Sequence, residues 1–503
     1  MNRGAGISLF GSRLPAELAN FLADTNPWWQ NRPMPPLPAF KRAMFGTALQ
    51  RLKSGLAPVT VLRGPRQVGK TTLQTQIIDH LLNEEQTDPT RIFRTQFDEI
   101  PSLKKVKDPI LSLCGWFEQH VLRGTFNEWA RNNAPVFLFF DEVQNLPDWA
   151  PQVKALVDHH AVRVMLTGSS ALRIESGRDS LAGRISTLEL GTLFLSEISV
   201  LRGFGEIEPA LPQNGHQNLI RKDFWVDLKE RGWRQKRIRD AAFDAFSKRG
   251  GYPIAQKRFD RPWEEIADQL NETIIVRVIQ HDLRIGERGR KRDHHLLEEL
   301  FRLSCRYAGQ APGKPLLIHE LRSALTANVS AQRVLAYLKF LNDTLLIRLV
   351  HPLELRLKRK QGSPKICLCD HSLRASWLQE NIPLTSGELS SFPHLSDLAG
   401  HLAESIAGYF LGTIPGLDLS WFPEREIEPE IDFIITVGEY RIPMEIKYRQ
   451  RIDGHRDTLG IRAFMEKSVY NAPFGILVTL SDDAAIDDPR IIALPLSSLL
   501  LLR

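Results

Sequence analysis

A glycine-framed run, Gly64-Pro65-Arg66-Gln67-Val68-Gly69-Lys70-Thr71-Thr72, constrains this chain more than any other stretch. Its spacing is G-x-x-x-x-G-K-T. The two glycines let the backbone curl until its N–H groups face inward on a phosphate chain. Lys70 supplies a point charge for the β- and γ-phosphates, and Thr71 offers a hydroxyl to Mg²⁺. The flanking pattern agrees with this reading. Residues 59–62 are a short β-branched, apolar run, and Leu73, Ile77, Ile78, Leu81 and Leu82 recur at helical spacing after the loop. A strand therefore feeds the loop and a helix leaves it, with its positive end toward the anion.

A second site fits the first. Residues 136–140 form a fully apolar run of the kind a buried parallel strand needs, and it ends in Asp141-Glu142. In this Walker B pattern Asp141 holds Mg²⁺ and Glu142 orients or deprotonates the attacking water. A third strand, residues 162–166, runs into Thr167-Gly168-Ser169-Ser170. Ser169 is the candidate to reach between the γ-phosphate and the water, or these residues cap a helix starting near Ala171. The two roles are compatible.

With 503 residues the chain exceeds one ordinary core, so two to four domains are expected. No apolar run approaches the roughly 18 residues of a membrane span, and the N-terminus has no charged-then-apolar export pattern. These features predict a cytoplasmic protein with no membrane partner. Cys114, Cys305, Cys367 and Cys369 are scattered without metal spacing and read as reduced cysteines, the last two in a strand over residues 365–369. The net charge is only +6, but it is clustered at residues 221–249, 284–292 and 356–360. Each patch is either solvated surface or a phosphate-contacting face.

Pattern shifts divide the chain. Residues 1–40 read as an irregular strap with a Pro/Trp-rich stretch, and its aromatics are expected to pack on the next domain. Residues 41–200 alternate strand and helix as a P-loop core, and residues 201–293 are helical and charged, broken at Gly250-Gly251-Tyr252-Pro253, as suits a lid. In residues 294–378 three helices precede strands at 345–349, 353–357 and 366–368, the order of a winged helix. Its third helix would present Gln332, Arg333 and Lys339 to DNA, and a basic tip of Arg356, Lys358, Arg359 and Lys360 would sit on backbone. The alternative is a winged helix used only for packing.

Residues 379–503 hold a second catalytic candidate. Strand 431–435, a turn at Val437-Gly438-Glu439 and strand 441–447 set out Asp432…Glu445-x-Lys447. A period of two puts Glu445 and Lys447 on one face, with Asp432 across from them. Asp432 and Glu445 are candidate metal ligands and Lys447 a candidate to position water; Glu404, on an upstream helix, is a further carboxylate. An acidic/basic cross-strand pair with no chemistry is the other reading. The segment order is that of a PD-(D/E)XK nuclease core.

Together, GPRQVGKTT, FLFFDEVQNLPDW and LTGSSALRIESGRDSLAGRISTLELG resemble the bacterial and archaeal AAA+-type ATPases that carry a C-terminal region of unknown function, similar to a winged helix plus a PD-(D/E)XK nuclease-like fold. The resemblance implies an α/β architecture: an AAA+ P-loop ATPase domain with a helical lid, a winged-helix domain and a C-terminal PD-(D/E)XK nuclease-like α/β domain. It implies ATP and Mg²⁺ as cofactors. It also implies an arginine finger, Arg184 with Arg178 as competitor, and hence a homo-oligomer. The expected function is an Mg²⁺-dependent ATPase coupled to DNA binding and metal-dependent DNA cleavage, in defence or mobile-element biology. A nucleotide-dependent switch or scaffold that binds DNA or protein without cutting is the alternative. No second sensor arginine is recognisable in the lid, and the acidic element before the hairpin is reduced to Pro429-Glu430-Ile431-Asp432.

Overall fold

Apolar strands flanked by amphipathic helices can hide both faces only in a layered parallel sheet, and this is how the first part of the chain folds. The computed structural model describes residues 15–98, 103, 106–146, 148–168, 181–211, 215–280, 293–325, 329–354, 362–424 and 428–503. It divides into two units, Met1–Leu190 and Gly191–Arg503.

In the first unit α1 (Ala16–Thr25) and α2 (Phe45–Ser54) precede β1 (Val59–Arg63), which feeds α3 (Lys70–Asn83). Strands β2 (Ile92–Gln96), β3 (Val136–Asp141), β4 (Val162–Gly168) and β5 (Ile185–Glu189) follow, with α4 (Pro109–Phe117), α5 (Phe126–Arg131) and α6 (Trp149–His159) between them. All five strands are parallel, in the order β2-β3-β4-β1-β5. Every residue of β3 is buried, as its unbroken apolar run requires. Leu73, Ile77, Ile78 and Leu81 turn the buried face of α3 inward.

The N-terminal strap covers a sheet edge. Strand β2 is outermost and would leave backbone groups unpaired on its free side. Asn26 closes that side by donating its amide to the Arg94 carbonyl (2.8 Å) and accepting from the Arg94 N–H (2.7 Å). The indole N–H groups of Trp28 and Trp29 both donate to the Ile92 carbonyl, at 3.0 and 2.9 Å. The Trp29 ring lies against Phe93 and Phe117. The strap aromatics thus pack on the sheet, as their sequence context predicts.

The second unit opens with helices α7 (Leu195–Leu201), α8 (Lys222–Arg234) and α9 (Lys236–Arg249). Gly250, at φ +69°, ends α9. Then come α10 (Pro253–Lys257) and α11 (Trp263–Leu270), which runs on through a wide turn at Asn271–Val276. Next are α12 (His294–Arg306), α13 (Lys314–Leu325) and α14 (Ala331–Asp343), capped at its start by Ser330. An antiparallel hairpin follows, β6 (Ile347–Val350) and β7 (Lys365–Leu368), with Val350 opposite Lys365. The strand expected from residue 345 begins two residues later because Leu345 turns at φ +61°. Leu353 does not sit in a separate strand; its N–H bonds the Trp421 carbonyl (2.8 Å), and residues 355–357 lie outside the described residues.

After α15 (His371–Leu378) and α16 (Ser396–Gly412), strands β8 (Asp418–Phe422), β9 (Ile431–Val437), β10 (Tyr440–Lys447), β11 (Gly475–Thr479) and β12 (Ile491–Pro495) form a second sheet in the order β12-β11-β10-β9-β8; α17 (Leu459–Met465) lies between β10 and β11. The predicted hairpin is present, turning at Gly438 (φ +61°), with Met444 opposite Phe433. All four cysteines are buried free thiols. No described helix is long and apolar enough to cross a membrane.

Candidate functional site

The strand order builds the first site. The P-loop leaves the carboxyl end of β1 and Asp141 ends β3, so both lie at the edge where ligands bind in parallel sheets. Strand β4 lies between them and delivers Thr167 directly beside Asp141. Gly64 passes so close to the Leu190 carbonyl oxygen that a Cβ would stand 2.1 Å from it, and Gly69 turns at φ +94°. A side chain at the first position would push the loop out of place, and one at the second would strain it.

Within the loop Lys70 is buried, and its ammonium donates to the carbonyls of Gly64 (2.9 Å) and Pro65 (2.7 Å). Arg42 holds the loop from behind by donating to the Val68 carbonyl (2.6 Å). Arg66 and Gln67 complete the curl, with Gln67 at φ +63°, and Thr72 lies in the first turn of α3. The Thr71 hydroxyl meets the Asp141 carboxylate at 2.9 Å, and Thr167 donates to the other carboxylate oxygen. A hydroxyl and a fully buried carboxylate side by side, under a curl of backbone N–H groups, fit a nucleotide with Mg²⁺.

Glu142 follows at φ +51°, a left-handed backbone that is costly for a side chain of this size and is common at functional sites. Its N–H bonds Asp141 (3.1 Å), and its carboxylate accepts from the Gln144 amide. Arg94 reaches from β2 to within 3.5 Å of Asp141 and donates to Gln96 (3.0 Å). Gln144 and Arg94 were not visible as site residues in the sequence. Gln144 lies two positions from a motif with no spacing rule of its own, and Arg94 enters through strand order alone. Ser169 and Arg178 lie outside the described residues.

The second unit gathers the other predicted cluster. Asp432 and Glu445 fall side by side on β9 and β10, one step beyond the last paired register. Glu445 accepts from the Asp432 N–H (3.4 Å), and Asp432 accepts from the Ile446 N–H (2.9 Å). Lys447 donates to Glu445 at 2.6 Å, and Glu404 comes from α16. At the centre stands a residue that in sequence is only the start of a strand. Lys365, 1% exposed, places its ammonium 2.6 Å from Asp432, 3.1 Å from Glu404 and 3.3 Å from Glu430.

Charge balance in this cluster follows from burial. Burial pushes the Glu445 carboxyl up to about 8, aided by the Asp432 charge, and it raises Glu404 for the same two reasons. Burial opposes ionisation of Asp432 as well, yet Lys365 holds that carboxyl below its usual range. Lys365 is itself held well above the ordinary lysine range, because Asp432, Glu404 and Glu430 outweigh its own desolvation. As arranged, this set does not fit a divalent ion. An ammonium stands where the carboxylates converge, and among the described residues no three His, Cys, Asp or Glu side chains converge as metal ligands.

Residues 57–199 match the family model described as an AAA domain. Most of that match lies in the first unit, whose P-loop core is similar to this domain. Residues 241–382 match a second model, described as a domain of unknown function. Two uncharacterised proteins, from Mycobacterium bovis and Mycobacterium tuberculosis, are each 25% identical over 332 residues. That match takes in 65% of this chain and 58% of each relative, so the chain spans less than two thirds of their length. A solved Walker-type ATPase of Pyrococcus abyssi aligns at 16% identity with a TM-score of 0.38, over 69% of this chain and 99% of that one.

In the first unit Arg184 sits just before β5, beside the first residue of β1 and therefore at the sheet edge opposite the P-loop. The five-residue strand, about 16 Å long, separates Arg184 from the P-loop. Its guanidinium pairs with Asp158 of α6. In the second unit Gln332 and Lys339 share the exposed face of α14, whereas Arg333 is turned aside into an ion pair with Asp293 (3.2 Å). Arg356, Lys358, Arg359, Lys360 and the basic run at 284–292 lie outside the described residues.

Proposed function

We propose that this chain hydrolyses ATP with Mg²⁺ and uses nucleotide state to control a C-terminal unit that binds DNA without cutting it. The observation that carries the ATPase reading is the 2.9 Å contact between Thr71 and Asp141 beneath the loop. Lys70 turns from the Gly64 and Pro65 carbonyls to the β- and γ-phosphates, while the loop N–H groups hold the chain of phosphates. Thr71 and Asp141 would hold Mg²⁺, which when bound would supply positive charge to the phosphate oxygens. Thr167 keeps Asp141 oriented, Gln144 keeps Glu142 oriented, and Glu142 takes or directs the proton of the attacking water. Arg184 serves the nucleotide of a neighbouring copy in a homo-oligomer.

DNA binding is supported by the helix-helix-helix-hairpin order of residues 294–368, by the exposed Gln332 and Lys339, and by the basic segment at 356–360. The non-cutting reading is favoured by Lys365 inside the acidic cluster. Phosphate release measured with and without duplex DNA tests the whole. Wild type should turn over ATP and respond to DNA, and Lys70→Ala should lose nucleotide binding. Wild-type turnover in Lys70→Ala would overturn the ATPase reading. The second reading, metal-dependent cleavage, draws on the shared face of Asp432, Glu445 and Lys447. It predicts Mg²⁺-dependent nicking of plasmid DNA that Asp432→Ala abolishes.

A further inference from the structure

The cluster around Lys365 has features that neither an ordinary ion pair nor an open metal centre would share. The lysine comes from β7, in the small hairpin sheet, whereas its partners come from α16 and from the β9 end of the second sheet. Its ammonium faces three carboxylates within 3.3 Å and also lies over the rings of Phe433 (5.4 Å) and Trp421 (5.6 Å). Asp432 and Glu445 each have both oxygens on a donor, and Glu404 has one. Asp432 is shared between Lys365 and the Ile446 N–H and Glu445 between Lys447 and the Asp432 N–H, while Glu404 accepts from Lys365 and lies 3.8 Å from His401. Donors already engage these buried oxygens and an ammonium fills the space between them, whereas a hard cation must take several oxygen ligands at once.

We propose that Lys365 is a built-in cation: its ammonium takes the place of a divalent ion among Glu404, Glu430 and Asp432, and so holds closed a latent metal site while tying the β6–β7 hairpin to the second sheet. A lysine does this well. It is a compact point charge with three donors, on a stem long enough to cross from one element to another through an apolar sleeve. The charge that would otherwise require an exchangeable ion is supplied covalently, so the centre keeps its shape whatever the metal supply. Removing the ammonium leaves buried carboxylates uncompensated, a condition relieved only by protons or by a cation. The inference does not depend on ATP hydrolysis, and its test uses nucleotide-free protein.

Mn²⁺ binding, followed by electron paramagnetic resonance on the full chain, reads the site directly. Wild type should show no Mn²⁺ site that Asp432→Asn removes. Lys365→Ala and Lys365→Met should gain one, bound at least tenfold more tightly than anything in wild type. That gained site should vanish in the Lys365→Ala/Asp432→Asn double variant, which separates it from ions near Asp141. A variant that folds only when Mn²⁺ is supplied supports the same conclusion. An Asp432-dependent Mn²⁺ site in wild type would overturn the proposal. So would a folded Lys365 variant that binds no Mn²⁺, or variants that fold neither with nor without it, since an ion able to replace the ammonium would restore the fold.

Discussion

Gln144 and Glu142 offer a perturbation whose size can be worked out beforehand. The Glu142 carboxylate is fixed by the Gln144 amide, and its backbone by the N–H bond to Asp141 and a left-handed φ of +51°. Replacing the acid by its amide, Glu142→Gln, removes a proton acceptor while leaving the Thr71–Asp141 pair intact. General base catalysis is worth about 10²- to 10⁴-fold, or roughly 2.7–5.4 kcal/mol of barrier. ATP hydrolysis should fall by that factor with the nucleotide Kd unchanged. Gln144→Ala removes one hydrogen bond to a charged group, worth about 1.5–3 kcal/mol. If all of that orients the carboxylate, turnover drops by about 10- to 150-fold. Gln144 is a positioning residue acting only through Glu142, so the double variant should be no slower than Glu142→Gln alone. Single-turnover phosphate release at saturating ATP, with Kd from a fluorescent analogue, provides the four rates. A Glu142→Gln enzyme at wild-type speed would refute the base. A double variant slowed by the product of the single effects would show Gln144 working independently of Glu142.

Mixing Arg184→Ala with Lys70→Ala subunits should restore part of the roughly 10³-fold loss expected of an absent arginine finger, since one interface then holds a complete site; no rescue at any mixing ratio, with assembly confirmed by light scattering, would argue against action in trans. Changing Lys358, Arg359 and Lys360 together to Ala should flatten the slope of log Kd against log salt for duplex DNA by about two to three units, and an unchanged slope would move the contact surface to residues 284–292. In the second unit the Asp482 carboxylate lies 2.8 and 2.9 Å from the buried guanidinium of Arg239. Asp482→Asn should cost about 3 kcal/mol in urea unfolding at pH 7, the lower end for a broken buried pair because Arg239 keeps Asp240. Burial would raise the Asp482 carboxyl, but hydrogen bonds from Arg239 and Lys236 hold it at about 2. A depressed carboxylate stabilises above its unfolded value of about 3.9, and that stabilisation is lost as pH falls toward about 2. The gap between wild type and variant should therefore narrow over that window; a gap constant with pH would show the pair contributes no charge-dependent stability.

Local spacing made much of this protein readable. The P-loop, Asp141-Glu142 and the stripe of α3 depend on neighbours a few residues apart, and backbone geometry turns such spacing directly into shape. A period of two sufficed to bring Glu445 and Lys447 together on one face of β10, and the turn at Gly438 brought Asp432 opposite them. What tertiary structure decided was who else arrives. Strand order inserted β4 between β1 and β3 and so carried Thr167 to Asp141, and it laid β2 where Arg94 approaches the same carboxylate. The pairing of Asn26, Trp28 and Trp29 with the edge of β2 follows from which strand is outermost, a property of the whole sheet. Lys365 is the sharpest case. Read in sequence it is the first residue of a short strand, 67 positions before Asp432. Only packing of the hairpin against the second sheet turns it into the counter-charge of an acidic cluster, because electrostatic partnership depends on distance in space and on burial, neither of which is written in the order of residues.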